Sequence, residues 1–307
     1  MCFNRHMLCR ALLASALALV GMFAQSPGAR AAAVSVEDIY GPSGVASRTL
    51  FYNGAPAEAN DVTVTFEVGV VRIVDAGASI VVGDRCSSVD ANEVLCSTRG
   101  VREFNASLGD LNDSVTAPVG GTCELFAPGG AQCFVSVLVG GPGNDVLIGS
   151  EALNLLLGGP GEDILEGGVN PDTLVGGPGA DTLRGGGGSD QVIYRGRRGP
   201  VTADPDGVAD DGEPGEGDMI ATDVEEIFGG LGNDVLTGNG HRNVLVGGRG
   251  NDVIRGKDGR DRLVGGSGAD TFFARDGFAD RIEGGGGTDR AAVDRLLDKL
   301  SRIERFF

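Results

Sequence analysis

The sequence GGPGNDVLI, at 140–148, returns with few changes as GGPGEDILE at 158–166. Each such unit of nine residues begins with a glycine-rich stretch, has Asp or Asn at its sixth place, and ends in a short apolar run. Glycine adopts positive φ without steric cost, so the first half of a unit predicts a tight turn and the second half a very short strand. One short strand buries nothing alone, which means that the units must stack.

The units form two arrays, at 138–193 and 229–291, and an acidic segment at 194–228 separates them. One unit, at 274–283, has ten residues, and its Asp therefore comes one place late. The sixth residues of the two arrays, together with this late Asp, are Asp145, Asn154, Asp163, Asp172, Asp181, Asp190, Asp234, Asn243, Asp252, Asp261, Asp270, Asp280 and Asp289.

Two units are expected to make one flattened coil, so that residues 18 apart stack at about 4.8 Å. The apolar eighth residues of the units then fill a thin core between two parallel sheets. In the first array this stacking puts Asp145, Asp163 and Asp181 in one column. It puts Asp172 and Asp190 in the other.

Stacked carboxylates at this spacing repel each other by roughly 3 to 4 kcal/mol at an effective dielectric constant of about 20. A hard divalent cation between the coils removes that repulsion. Calcium (Ca2+) accepts carboxylate and carbonyl oxygens in a flexible shell, Mg2+ needs a tighter octahedron, and zinc prefers His or Cys, which the arrays lack apart from His241. The columns therefore predict Ca2+ sites, with an uncharged ladder of structural Asx turns as the alternative.

At these residues the chain resembles the RTX, or haemolysin-type, family of nonapeptide-repeat calcium-binding proteins, whose consensus is GGxGxDxUx. GGRGNDVIR at 247–255 and GGSGADTFF at 265–273 follow that consensus closely. The resemblance implies an all-β fold, a right-handed parallel β-roll (a β-solenoid), with Ca2+ held between coils by the sixth residues and turn carbonyls. Asn154 and Asn243 depart from the consensus because they carry no charge, and Asp280 is one residue out of register.

The composition is strongly acidic. The chain has 43 acidic and 25 basic residues, and its formal net charge of -18 argues against nucleic acid as a partner. With 41% hydrophobic residues it is too apolar for an acidic disordered tail. Calcium ions are the partners that this charge favours.

The N-terminus has the pattern of a secretory signal peptide. Arg5 and Arg10 precede an apolar run at 11–24, and small residues near 29–31 offer a cleavage site. A membrane-spanning helix needs about 20 apolar residues, which neither this run nor any later segment reaches, so membrane insertion is not expected. We therefore expect a signal peptide at 1–31 and a secreted protein, either extracellular or at the cell surface.

Four cysteines remain beyond that segment, in two pairs that are each ten residues apart. In an exported chain such equal, short spacings favour two local disulfides, Cys86–Cys96 and Cys123–Cys133. A metal site is the alternative, but it would want tighter Cys spacing or His partners.

Three further segments flank or divide the arrays. Residues 32–137 alternate apolar and polar side chains, as from Val62 to Val64, and predict a β-rich N-terminal region without a chemical motif. The acidic insert at 194–228 is interpreted as a solvated loop, with an accessory calcium loop as the alternative. Residues 292–307 have apolar residues at near-helical spacing and are interpreted as a C-terminal cap, with a partner-binding helix as the alternative.

The sequence contains no zinc-protease, lipase or nucleotide-binding motif, and the one histidine beyond the predicted signal peptide, His241, lies in a repeat turn. We therefore expect no enzyme, but a calcium-dependent scaffold or surface module whose candidate partner is an extracellular polysaccharide or a cell surface. The first alternative is a carbohydrate-binding or adhesive module at 34–137. A secreted hydrolase in the same region is the second.

Overall fold

A computed structural model describes residues 32–40, 46–54, 59–67, 70–97, 101–116, 135–151 and 153–307. All regular structure in these ranges is β, and they contain no helix. It follows that none of the described residues belongs to a helix long and apolar enough to span a membrane. The predicted signal peptide at 1–31 and the predicted disulfide Cys123–Cys133 lie outside these ranges. The chain divides into two compact units, Met1–Asn170 and Pro171–Phe307.

The strands of the first unit are β1 (Ala32–Tyr40), β2 (Ala46–Asn53), β3 (Asp61–Glu67), β4 (Val70–Asp75), β5 (Ile80–Val82), β6 (Cys86–Ser88), β7 (Glu93–Ser97), β8 (Val101–Ser107), β9 (Ser114–Thr116), β10 (Val135–Val139), β11 (Val146–Ile148), β12 (Leu153–Leu157) and β13 (Ile164–Gly168).

These strands lie in two sheets, and each coil gives one strand to each sheet. Within the unit one sheet has the order β12-β10-β8-β2-β1-β5 and the other β13-β11-β9-β3-β4-β7-β6. Successive coils pair in parallel, and in the repeats the register is 18 residues, with Leu147 opposite Leu165. The parallel pairing of β8 with β10 continues the coils into the N-terminal region, across the boundary predicted at 137.

An antiparallel extension, β4, β7 and β6, leaves the roll after β3. Cys86 lies opposite Cys96 where β6 pairs with β7, and the two form a disulfide, which confirms that prediction. Closing a loop of this length stabilises the fold by roughly 2 to 3 kcal/mol on the chain-entropy model.

The core of the first unit is a single layer of apolar side chains between the two sheets. Leu147, Leu156 and Leu165, the eighth residues of their units, are fully buried, as are Leu138 and Phe104 from neighbouring coils. Each such side chain contributes about 1.5 to 3 kcal/mol by leaving water. The apolar eighth place is therefore what holds the coils flat.

The strands of the second unit are β14 (Thr173–Val175), β15 (Thr182–Gly186), β16 (Gln191–Ile193), β17 (Thr202–Ala203), β18 (Ala209–Asp211), β19 (Asp218–Ile220), β20 (Glu226–Phe228), β21 (Val235–Thr237), β22 (Val244–Arg249), β23 (Val253–Arg255), β24 (Arg262–Ser267), β25 (Thr271–Ala274), β26 (Arg281–Gly286), β27 (Arg290–Val293), β28 (Lys299–Ser301) and β29 (Arg305–Phe306).

Three sets of strands form this unit: β28-β26-β24-β22-β20-β16-β14, β18-β19-β15 and β17-β21-β23-β25-β27-β29. The prediction of a solvated loop at 194–228 is wrong, because that segment supplies β17 to β20. β19 pairs in parallel with β15, and β20 with β16. Ala203, Ile220 and Ile227 are buried in the insert, and they lie opposite eighth residues of the repeats, namely Leu236, Leu183 and Val192.

The near-helical spacing at 292–307 does not become a helix. β28 pairs in parallel with β26, and β29 with β27, so these residues add a last coil to the roll. Leu296 and Leu297, which the helical interpretation puts on an apolar face, are exposed in the turn between β27 and β28. Of the apolar residues that suggested a helix, Val293 is buried at the end of β27, whereas Phe307 is exposed after β29.

Candidate metal centre

The sixth residue of each unit lies at the end of the glycine turn, next to the strand that follows. All the predicted site residues are at most 2% exposed; they are Asp145, Asn154, Asp163, Asp172, Asp181, Asp190, Asp234, Asn243, Asp252, Asp261, Asp270, Asp280 and Asp289. Aspartate is almost never buried to this degree unless it is paired or coordinates a metal. Because these carboxylates are buried, the groups that face each of their two oxygens decide whether they are paired or bind a metal.

One oxygen, Oδ1, takes part in a ladder between coils. The backbone N–H of Asp145 donates to Asp163 Oδ1 at 2.8 Å. In the same way the N–H of Asp252 donates to Asp270 Oδ1 at 2.9 Å. Each donor lies 18 residues before its acceptor, so the predicted stacking register is confirmed within both units.

Five carboxylates that the nine-residue pattern does not identify accept the same kind of hydrogen bond: Asp113, Asp218, Glu225, Asp298 and Glu304. Asp113 also donates its N–H to Asp145 Oδ1 at 2.8 Å. Because 32 residues separate these two, the period of 18 conceals their relation. The pair Asn112-Asp113 just before β9 is the signal that could have found it, since the unit at 140–148 has Asn-Asp at the same place before β11.

The second oxygen, Oδ2, is buried in most of these carboxylates. It has no hydrogen-bond partner among the described residues at Asp145, Asp190, Asp252, Asp261, Asp270, Asp280 and Asp289. A Cβ built on Gly140 would lie 2.2 Å from Asp145 Oδ2 and 2.7 Å from the carbonyl oxygen of Gly158. Glycine is required at the first place of the unit because these two oxygens flank the space that a side chain would take.

The asparagine units show how that space is used when no charge is present. Asn154 Nδ2 donates to the Gly167 carbonyl at 3.0 Å and to the Ser150 carbonyl at 3.2 Å. Gly167 stands to Asn154 in the sequence as Gly158 stands to Asp145. In the asparagine unit an N–H group therefore faces the carbonyl, whereas in the aspartate unit an oxygen faces it. Two oxygens repel, and a hard cation is the group that fits between them.

The electrostatics of the ladder agree with this geometry. Burial raises the pKa of Asp145, Asp252 and Asp261 to about 7, although a backbone N–H on each carboxylate lowers it. Neighbouring carboxylates of the same column raise these pKa values further, as Asp270 does for Asp252. Without a positive charge nearby these groups therefore resist ionisation. A cation would favour their ionised form.

A family model matches four stretches of the chain: 139–173, 166–195, 222–254 and 246–278. Its description is the RTX calcium-binding nonapeptide repeat. Residues 139–195 and 222–278 are RTX repeats. Repeats of this kind bind calcium. The RTX match begins again at 222, inside the predicted insert, which agrees with the place of β20 in the sheet.

The RTX match ends at 278, before Asp280 and Asp289, yet the structure keeps both residues in the ladder. The N–H of Asp261 donates to Asp280 Oδ1 at 2.8 Å, and the N–H of Asp270 donates to Asp289 Oδ1 at 2.8 Å. No curated protein matches the chain.

Proposed function

We propose that this chain is an exported calcium-binding protein whose RTX repeats fold when calcium binds between the coils, and that the folded roll is a scaffold or surface module. The observation that carries the proposal is the buried Oδ2 of the ladder, which shares its space with a turn carbonyl in place of a donor. The match to the RTX calcium-binding repeat supports calcium as the ion.

Within a regular unit the ligands would be the sixth-place carboxylate and the carbonyl of the first glycine in the next coil. Asp145 with Gly158, and Asp270 with Gly284, have this arrangement. Bound calcium would supply positive charge and accept six to eight oxygen ligands. The chain's own part is to hold each carboxylate in place through Oδ1 and to exclude water from the core behind it.

The levels of Asn154 and Asn243 are proposed to bind calcium weakly or not at all. Both side chains already use Nδ2 as a donor to a backbone carbonyl, Asn154 to Gly167 and Asn243 to Glu225. These rungs can form without an ion. They offer points at which the roll holds together between calcium sites.

Export is supported by the sequence pattern at 1–31 and by the disulfide Cys86–Cys96, since disulfides persist in oxidising compartments. Extracellular calcium would then be the condition under which the repeats fold. For the scaffold, an extracellular polysaccharide or a cell surface remains the proposed partner. A sugar-binding site at 34–137 is less favoured, because Phe51, Tyr52 and Phe104 are buried and cannot stack on a sugar.

Calorimetric titration of the chain from residue 32 with calcium and, separately, with magnesium tests the proposal. We expect several calcium ions to bind with a large accompanying structural change, and magnesium to bind much more weakly. Absence of calcium binding at millimolar concentration would contradict the calcium-dependent function. Mass spectrometry of protein recovered from an expressing host's medium tests export, with a start near residue 32 as the expected result.

A further inference from the structure

The ten-residue unit at 274–283 brings a third carboxylate to the ladder. One carboxylate oxygen from each of Asp261, Asp276 and Asp280 lies within 4.8 Å of one from each of the other two. In the part of the chain that the structure describes, no other group of three His, Cys, Asp or Glu side chains meets this condition. Asp276 is not a sixth-place residue, so the repeat pattern gives it no role.

The extra residue of that unit changes the turn in which Asp276 lies. Four places before the ladder Asp, most regular units have a glycine with positive φ, such as Gly248 at 111° and Gly266 at 115°. A Cβ on Gly266 would lie 2.1 Å from the Gly248 carbonyl, so a coil of this shape has no room for a side chain there. In the unit of Asp261 the same place is held by Lys257, also at positive φ, 63°. Asp276 occupies this place before Asp280 and is not among the described residues with positive φ.

All three carboxylates have one oxygen fixed by a backbone N–H. Asn243 donates to Asp261 Oδ1, Phe278 donates to Asp276 Oδ1, and Asp261 donates to Asp280 Oδ1, each at 2.8 Å. The second oxygen of each, Oδ2, is buried and has no hydrogen-bond partner among the described residues. Asp261 and Asp280 are each 2% exposed. Hydrogen bonds to the other oxygen are the usual means by which a protein orients metal ligands.

The next coil holds the Asp276 turn in place. The N–H groups of Asp276 and Gly277 donate to Asp294 Oδ2 at 3.0 and 2.7 Å. Asp294 in turn donates its own N–H to Asp298 Oδ2 at 2.7 Å. The turn that carries Asp276 is therefore held in place by its hydrogen bonds to Asp294 of the next coil.

We infer that Asp261, Asp276 and Asp280 together bind one calcium ion, at a site that the extra residue creates by adding the Asp276 carboxylate to two ladder carboxylates. Three carboxylates this close need counter-charge, and Arg242, which interacts electrostatically with Asp261, supplies one positive charge. An all-oxygen ligand set with this much negative charge suits calcium, and affinity rises with the number of charged ligands. This level is thus the tightest calcium site of the roll. The inference rests on the proposed function, because Asp261 and Asp280 belong to the same ladder.

Asp276→Asn and Asp276→Ser test the inference, since both retain an acceptor for the Phe278 N–H and remove the carboxylate. Asp258→Asn is the matched control, because Asp258 is an exposed turn residue of the preceding unit. Calcium stoichiometry and affinity are measured by equilibrium dialysis, with circular dichroism at saturating calcium as the check on folding. We expect both Asp276 variants to lose one ion or to weaken the tightest site by at least about tenfold, and the control to stay within about twofold of wild type.

Wild-type stoichiometry and affinity in both Asp276 variants would overturn the inference and leave the proposed function intact. Loss of the whole fold at saturating calcium in both variants would also count against it, because the site holds one ion of several. If the wild-type chain itself binds no calcium, the proposed function fails, which is a distinct outcome.

Discussion

Without calcium, the roll should become more stable as the pH falls. Burial, opposed by the Asp234 N–H, raises the pKa of Asp252 from its ordinary value of 3.8 to about 7. Because the pKa is higher in the folded chain, folding is favoured most below pH about 4, and that advantage is lost as the pH rises through about 7. At pH about 6 the Asp252 carboxyl alone disfavours the folded state by about 3 kcal/mol, and above pH 8 by about 4 kcal/mol.

Asp190 and Asp261 have pKa values raised to about 7 for the same principal reason, burial. The free energy by which a few such ionised groups disfavour the folded state equals the whole net stability of an ordinary domain, about 5 to 15 kcal/mol. Near neutral pH the calcium-free roll therefore should not fold. At saturating calcium the stability should instead rise with pH, because the carboxylates must be ionised in order to bind the ion.

Asp252→Asn separates these two effects. In calcium-free buffer at pH about 6 we expect the variant to be more stable than wild type by about 1 to 3 kcal/mol, because the amide keeps the Oδ1 acceptor and has no charge to bury. At calcium concentrations near 100 times the dissociation constant we expect it to be less stable, by up to about 2.7 kcal/mol for each ion lost.

The assay is circular dichroism from pH about 4 to about 8, with and without calcium, combined with urea unfolding under the conditions in which the chain is folded. Where the calcium-free wild type is unfolded, the greater stability of the variant is measured as a fold that persists to higher pH. A variant less stable than wild type in both buffers would refute the reasoning, because it would mean that the carboxylate stabilises the fold without a cation. So would a calcium-free stability that rises with pH through this window.

Two further substitutions test the turn and the core. Gly140→Ala should displace Asp145 Oδ2, which lies 2.2 Å from the new Cβ, and lower stability in calcium by about 1 to 3 kcal/mol in a urea titration; Gly240→Ala, with nothing within 4 Å, is its control and should be nearly neutral. Leu263→Ala, at a fully buried eighth place, should cost about 2 to 5 kcal/mol in the same assay, whereas Leu231→Ala, 42% exposed, should cost little. Equal effects within either pair would contradict the assignment of those positions.

The nine-residue period was enough to predict the roll, because each unit has one glycine turn, one ladder residue and one inward apolar residue. It predicted the stacking of Asp145 on Asp163 and the burial of Leu147. The strands of the insert could not be found this way. Ile220 and Ile227 hold the core positions there without the glycine spacing that marks a unit.

The candidate site was predictable only in part for the same reason. Hydrogen bonds between coils depend on position in space, so Asp113 belongs to the ladder although 32 residues separate it from Asp145. The third carboxylate at Asp276 depends on a turn that one extra residue reshapes. The sequence period identifies the site residues of regular coils, and it does not identify those that lie where the chain departs from the regular coil.

The most direct test of the account is the far-ultraviolet circular dichroism of the chain from residue 32, at pH about 8, as calcium is raised from excess chelator to millimolar concentration. Buried carboxylates that face carbonyl oxygens should prevent the roll from forming until calcium binds, so we predict little β signal in chelator and a cooperative gain as calcium is added. A full β signal in excess chelator at that pH would contradict the claim that calcium binding and folding are one event.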